Sequence, residues 1–126
     1  MKKIVHTDKA PAAIGAYSQA VITGNTVYVS GQIPLDPVTM QVVEGGFIDQ
    51  VHQVFKNLMA ITEAAEVSLA HAVKLTVYVT DLANFADLNA VMSDYMKEPF
   101  PARAAVEVSA LPKGVMVEID AILSTS

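Results

Sequence analysis

Near its end the chain runs Val115-Met116-Val117-Glu118-Ile119-Asp120-Ala121-Ile122-Leu123. Side chains alternate across a β-strand, so Val115, Val117, Ile119, Ala121 and Leu123 form one continuous apolar face. Met116, Glu118, Asp120 and Ile122 form a mixed one. A strand apolar on one face and half apolar on the other belongs inside a sheet covered on both sides. The rest of the chain has to supply those covers.

It supplies two helices. Phe47, Val51, Val54, Phe55, Leu58, Ile61 and Ala65 recur at helical spacing after the Gly45-Gly46 break, with Asp49, Gln50, His52, Gln53, Lys56, Asn57 and Glu63 largely on the other side. This predicts an amphipathic helix of about five turns. Phe85, Leu88, Val91, Met92, Tyr95 and Met96 predict a second, ended by Glu98-Pro99-Phe100-Pro101 because proline cannot continue a helix. Four further strands are predicted. Ile22 to Val29 reads as a hairpin turning at Gly24-Asn25. Val73 to Thr80 alternates and is rich in β-branched residues. Arg103 to Ser109 connects through Leu111-Pro112-Lys113-Gly114 to the last strand. Two helices for five or six strands imply an α+β fold, a mixed sheet with both helices on one face. The second face is then left for a neighbouring subunit, and a hydrophobic content of 52%, above the ordinary range, agrees.

The length of 126 residues predicts one domain, residues 1–126, with no repeat or linker. The absence of cysteine excludes disulfides, thiolate metal ligands and a cysteine nucleophile. The apolar stretch after Met1-Lys2-Lys3 is too short for a secretory signal, and no apolar run approaches a membrane span, so a cytoplasmic location is expected. A net charge of −5, a pI near 4.9 and scattered lysines and arginines argue against nucleic acid as a partner.

Phosphate loops, dinucleotide fingerprints and nucleophile elbows are missing. His6, His52 and His71 are too scattered to suggest a metal site, and Met59, Met92 and Met96 read as helix core. Two residues remain. Arg103 begins a strand beside Ala104, Ala105 and Val106. A guanidinium there needs an anion, either a substrate carboxylate or an internal partner among Glu107, Glu118 and Asp120. Glu118 interrupts the most apolar strand, where a carboxylate with a raised pKa can act on a water, or can pair with a basic side chain.

These residues fall in five ordered motifs: Gly15-Ala16-Tyr17-Ser18-Gln19-Ala20, Val29-Ser30-Gly31-Gln32-Ile33-Pro34, Pro101-Ala102-Arg103-Ala104-Ala105-Val106-Glu107-Val108, Leu111-Pro112 and Val117-Glu118-Ile119-Asp120-Ala121. Together they resemble the reactive intermediate deaminase A (RidA, also called YjgF) family almost end to end. The resemblance implies a chorismate-mutase-like fold, a homotrimer with clefts between subunits, and cofactor-free hydrolysis of reactive 2-imino acids such as 2-iminobutanoate and 2-iminopropanoate. It also implies roles for Arg103 on the substrate carboxylate and Glu118 on the attacking water. Tyr17 would wall the pocket, Ser30 and Gly31 would line the cleft, and Asn89 and the Ala105 backbone would complete it. The small-molecule partners would be 2-imino and 2-oxo carboxylates. Three departures from the family pattern stand out: Ala16 in place of a frequent proline, Ala105 in place of a frequent cysteine, and a short Lys97–Pro101 stretch. The alternatives to a deaminase are a non-catalytic carboxylate-binding module of the same fold, which needs Arg103 but not Glu118, and a holdase or ribonuclease role.

Overall fold

The computed structural model describes residues 1–126 and has the expected element order with one strand added at the start. In chain order the elements are β1 (Lys3–Val5), β2 (Ala20–Thr23), β3 (Thr26–Gln32), α1 (Phe47–Ala64), β4 (Ala72–Val79), α2 (Phe85–Tyr95), β5 (Ala102–Glu107) and β6 (Val117–Ser124). Thr23 pairs with Thr26, leaving Gly24-Asn25 as the hairpin turn, and Gly24 takes the left-handed φ of +56° that glycine allows.

The six strands make one sheet in the order β1-β2-β3-β6-β4-β5. Only β4 and β5 are parallel, joined by the crossover through α2; every other pairing is antiparallel. The last strand in sequence thus lies between β3 and β4, the interior place that one apolar and one half-apolar face require. Val117, Ile119, Ala121 and Leu123 face the helices at 0–1% exposure. They join Val27, Val29, Leu75, Val77 and Val79 against Val51, Val54, Phe55, Leu58 and Ile61 of α1 and Leu88 and Val91 of α2. No helix is long and apolar enough to cross a membrane.

Both expectations about helix and strand faces need correction in places. Gln50 and Asn57 do not sit on the solvated side of α1 but are buried. The Gln50 side-chain oxygen accepts the Met116 N–H at 2.8 Å, and the Asn57 amide donates to the Leu35 carbonyl at 3.0 Å, so both pin connecting loops to the helix. In β4, alternation fails at Val73. Ala72 pairs with Leu123 and Lys74 with Ile122, so Val73 is the extra residue of a bulge and is 50% exposed.

The other face of the sheet carries Tyr28, Thr76, Tyr78, Glu118, Asp120 and Ile122, and no element of the chain covers it. A second bulge interrupts the β3–β6 ladder. Val29 pairs with Ala121 and Gln32 with Ile119, which sets Ser30 and Gly31 out of register beside Glu118.

Candidate active site

Arg103 stands on β5, the free edge of the sheet. Its partner in β4 is Leu75, and that of Ala105 is Val77, so both residues face the helix side. There α2 presents Phe85, Asn89 and Met92 at successive turns, which places them on one stripe. The guanidinium lies 4.9 Å from the centre of the Phe85 ring. Its Nη1 donates to the Asn89 side-chain oxygen and approaches the Met92 sulfur at 3.6 Å. A ring, an amide and a thioether hold the group in place without neutralising it.

The internal salt bridges considered for Arg103 are not made. Glu107 accepts the Leu82 N–H at 3.0 Å, Asp120 accepts the Tyr78 hydroxyl, and Glu118 lies on the opposite face. The chain's only ion pair is His6–Asp8. A cleft of about 400 Å³ opens beside Arg103, bordered by Asn89, Met92, Met96 and Phe100. The Val108 N–H donates to the Val79 carbonyl at 2.8 Å. Peptide groups alternate along a strand, so those of Arg103 and Ala105 turn outward to the unpaired edge. Free N–H donors therefore line up beside the guanidinium.

Glu118 belongs to a second constellation. It pairs with Tyr78 in the β4–β6 register and points to the uncovered face, where its side chain crosses Gly31. Glycine is required by that approach, since a Cβ there would stand 2.9 Å from the Glu118 carboxyl carbon. No hydrogen bond reaches the Glu118 carboxyl within the chain. Burial raises its pKa above the ordinary value, and the neighbouring Asp120 raises it further. Tyr17, Gly31, Lys113 and Glu118 line a cleft of about 300 Å³.

The segment bearing Tyr17 is anchored by Gln19, a residue the sequence reading passed over although it stands in the first motif. It is 2% exposed; its amide donates to the carbonyls of Thr7 and Pro11 at 3.0 and 2.9 Å and accepts the Thr7 N–H at 2.8 Å. Ser30 donates its hydroxyl to the Ser18 carbonyl, and its own N–H bonds to the Gln19 carbonyl at 2.9 Å. The Tyr17 hydroxyl accepts the Ile14 N–H at 3.2 Å, and its ring is 54% exposed.

A model of the family described as endoribonuclease L-PSP matches residues 7–124. The chain belongs to this family, the YjgF/RidA family. It is 50% identical over 122 residues to a RutC family protein from Pyrococcus horikoshii, covering 97% of each. To a 2-iminobutanoate/2-iminopropanoate deaminase from Rattus norvegicus it is 48% identical over 122 residues, 97% of this chain and 89% of the relative. The crystal structure of RidA from the Antarctic bacterium Psychrobacter sp. PAMC 21119 superposes with a TM-score of 0.94 at 57% identity, over 97% of this chain and 98% of that one.

In this RidA-family chain the seven residues singled out from sequence form two groups. Arg103, Asn89 and Ala105 meet on the helix side of the free edge; Tyr17, Gly31 and Glu118 meet on the uncovered face, with Ser30 adjoining through the bulge. The sheet separates the groups. The histidines take no part: His6 bonds Asp8, His52 meets the Tyr95 hydroxyl at 2.7 Å, and His71 accepts the Ser68 N–H.

Proposed function

We propose that this chain is an imine deaminase that hydrolyses 2-iminobutanoate and 2-iminopropanoate to the 2-oxo acids and ammonia, in cytoplasmic sites formed between the subunits of a homotrimer. The observation that carries this reading is Arg103, a permanently charged group held by neutral partners beside an open cleft. A substrate carboxylate completes its two-pronged donor set. The deaminase activity borne in name by the relative at 48% identity supports the same reading.

The chemistry asks for little. A protonated 2-imino acid is already electrophilic at C2, so holding it against one water accounts for much of the rate. Arg103 binds the carboxylate, Asn89 steadies the guanidinium and the outward Ala105 peptide adds a donor. Across the interface, Glu118 takes a proton from the water as its oxygen bonds to C2 and the C=N pair moves onto nitrogen. The resulting carbinolamine recovers that proton on nitrogen, the C2–N bond breaks as the newly ionised Glu118 takes the C2 hydroxyl proton, the oxygen becomes the carbonyl, and ammonia leaves and carries that proton from Glu118 away as ammonium. Glu118 suits the exchange because its raised pKa brings it nearer the working pH. Tyr17, Ser30 and Gly31 shape that half of the cleft. No step calls on a cofactor. A net charge of −5 stands against RNA as a substrate despite the family's description.

The test is release of 2-oxo acid and ammonia when purified protein meets 2-iminobutanoate generated in place by threonine dehydratase. Wild type accelerates release, and Arg103→Ala, folded and equally oligomeric, loses about 2–5 kcal/mol of transition-state binding. No acceleration by folded wild type, with a 2-oxo acid still bound, would reassign the chain as a carboxylate-binding module.

A further inference from the structure

Three groups on the uncovered face are arranged so that one of them is left unpartnered. Glu118 and Asp120 are two residues apart on β6 and point the same way. Tyr78 lies directly opposite Glu118 in the β4–β6 register, with Asp120 on the diagonal. A long aromatic side chain reaches either neighbour from that position. The Tyr78 hydroxyl takes the diagonal and donates to Asp120 Oδ2 at 3.0 Å.

We propose that Asp120 is a positioning residue for the deamination: by occupying the Tyr78 hydroxyl it keeps that donor off Glu118, whose carboxyl stays free to hold the attacking water. The proposal rests on the reading of Glu118 as the group that acts on water. A phenol donating to Glu118 would compete with the water for the carboxyl's lone pairs and stabilise its charged form, making it a poorer base. Asp120 instead sets a negative charge beside Glu118 and takes up the Tyr78 hydroxyl, which stands directly opposite it on β4. The charged and titratable groups facing Glu118 are Asp120 on its own strand, Tyr78 from β4, Tyr17 from the loop before β2, and Lys113 from the turn before β6; β3 contributes no charged or titratable group there. Lys113 forms no ion pair with Glu118. Tyr78 is therefore the donor that has to be directed elsewhere.

The experiment uses the intact oligomer and four proteins: wild type, Asp120→Ala, Asp120→Asn, and Asp120→Ala combined with Tyr78→Phe. The Glu118 carboxyl is titrated by carbon NMR, and kcat and KM for 2-iminobutanoate are measured across pH. Asp120→Ala removes a like charge and releases the phenol, so the Glu118 pKa falls and kcat drops about tenfold or more with KM little changed. Asp120→Asn still accepts the Tyr78 hydroxyl and keeps most of the rate. Adding Tyr78→Phe to Asp120→Ala removes the competing donor, moves the titration part of the way back and restores kcat. A merely structural Asp120 predicts the reverse, because losing a second side chain would not repair a damaged sheet. A Glu118 titration unmoved in Asp120→Ala, or a double variant no better than the single one, overturns the proposal. The titration needs no turnover. Movement in the single variant and recovery in the double one support the positioning even in a protein that releases no 2-oxo acid, an outcome that sinks the deaminase reading alone.

Discussion

Gly31→Ala is the smallest change that separates folding from chemistry in this chain. Gly31 has no need of a left-handed backbone, so alanine brings no φ strain there. What it brings is a methyl group 2.9 Å from the Glu118 carboxyl carbon and nearer still to one of its oxygens. Ordinary contact between carbons is about 3.5–4.0 Å, so the carboxyl has to withdraw by on the order of 1 Å. Glu118 is half-buried at the end of a flexible side chain, and it can withdraw without disturbing the apolar layer beneath Val117 and Ile119. The expected loss of stability is therefore under about 1 kcal/mol. In the proposed mechanism catalysis depends on the carboxyl's place, and a misplacement of about 1 Å costs on the order of 10²-fold in rate, or roughly 2.7 kcal/mol. Initial rates of 2-oxo acid release, alongside thermal unfolding, measure both quantities on one preparation. A Gly31→Ala protein with normal melting and a kcat within about threefold of wild type would refute the placement of Glu118 at the reacting centre.

Two further outcomes follow from the same geometry. Glu118→Gln loses about 10²–10⁴-fold in kcat yet melts higher than wild type at neutral pH: because the folded pKa is raised, the stability that protonated Glu118 contributes is full below the ordinary glutamate range and lost as pH rises through the folded value. Melting scans from acid to neutral pH check the sign, and a variant less stable than wild type at neutral pH contradicts it. Mixed oligomers of Arg103→Ala and Glu118→Gln subunits regain activity that neither variant has alone, about a quarter of wild type for random assembly into a closed ring, since one subunit pairing in four joins both intact groups. Mixed oligomers that remain inactive would rule out a site shared between neighbours.

Sequence pattern reached far into this fold because its signals are local. The alternation of Val115–Leu123 implies an interior strand, and α1 begins at Phe47 where the apolar spacing begins. The signals fail where the partner is distant or the segment short. β1 has only three residues, two of them exposed, and three residues hold no period. Gln50 and Asn57 look like solvated helix positions because their partners, Met116 and Leu35, lie 66 and 22 residues away. The bulge at Val73 leaves no mark in composition at all. For the candidate site, the residue types were legible and their arrangement was not. Arg103 pairs with Leu75 and Glu118 with Tyr78, and those β4 residues differ by an odd number, so the two groups face opposite sides of the sheet. That parity is set by two registers and a parallel crossover, none of which a local pattern records. It also joins two observations that looked separate, a sheet face with nothing over it and a pair of candidate site residues that no side-chain rotation can bring together within one chain. In the proposed homotrimer a second copy answers both at once, supplying the cover for the first and the missing half for the second.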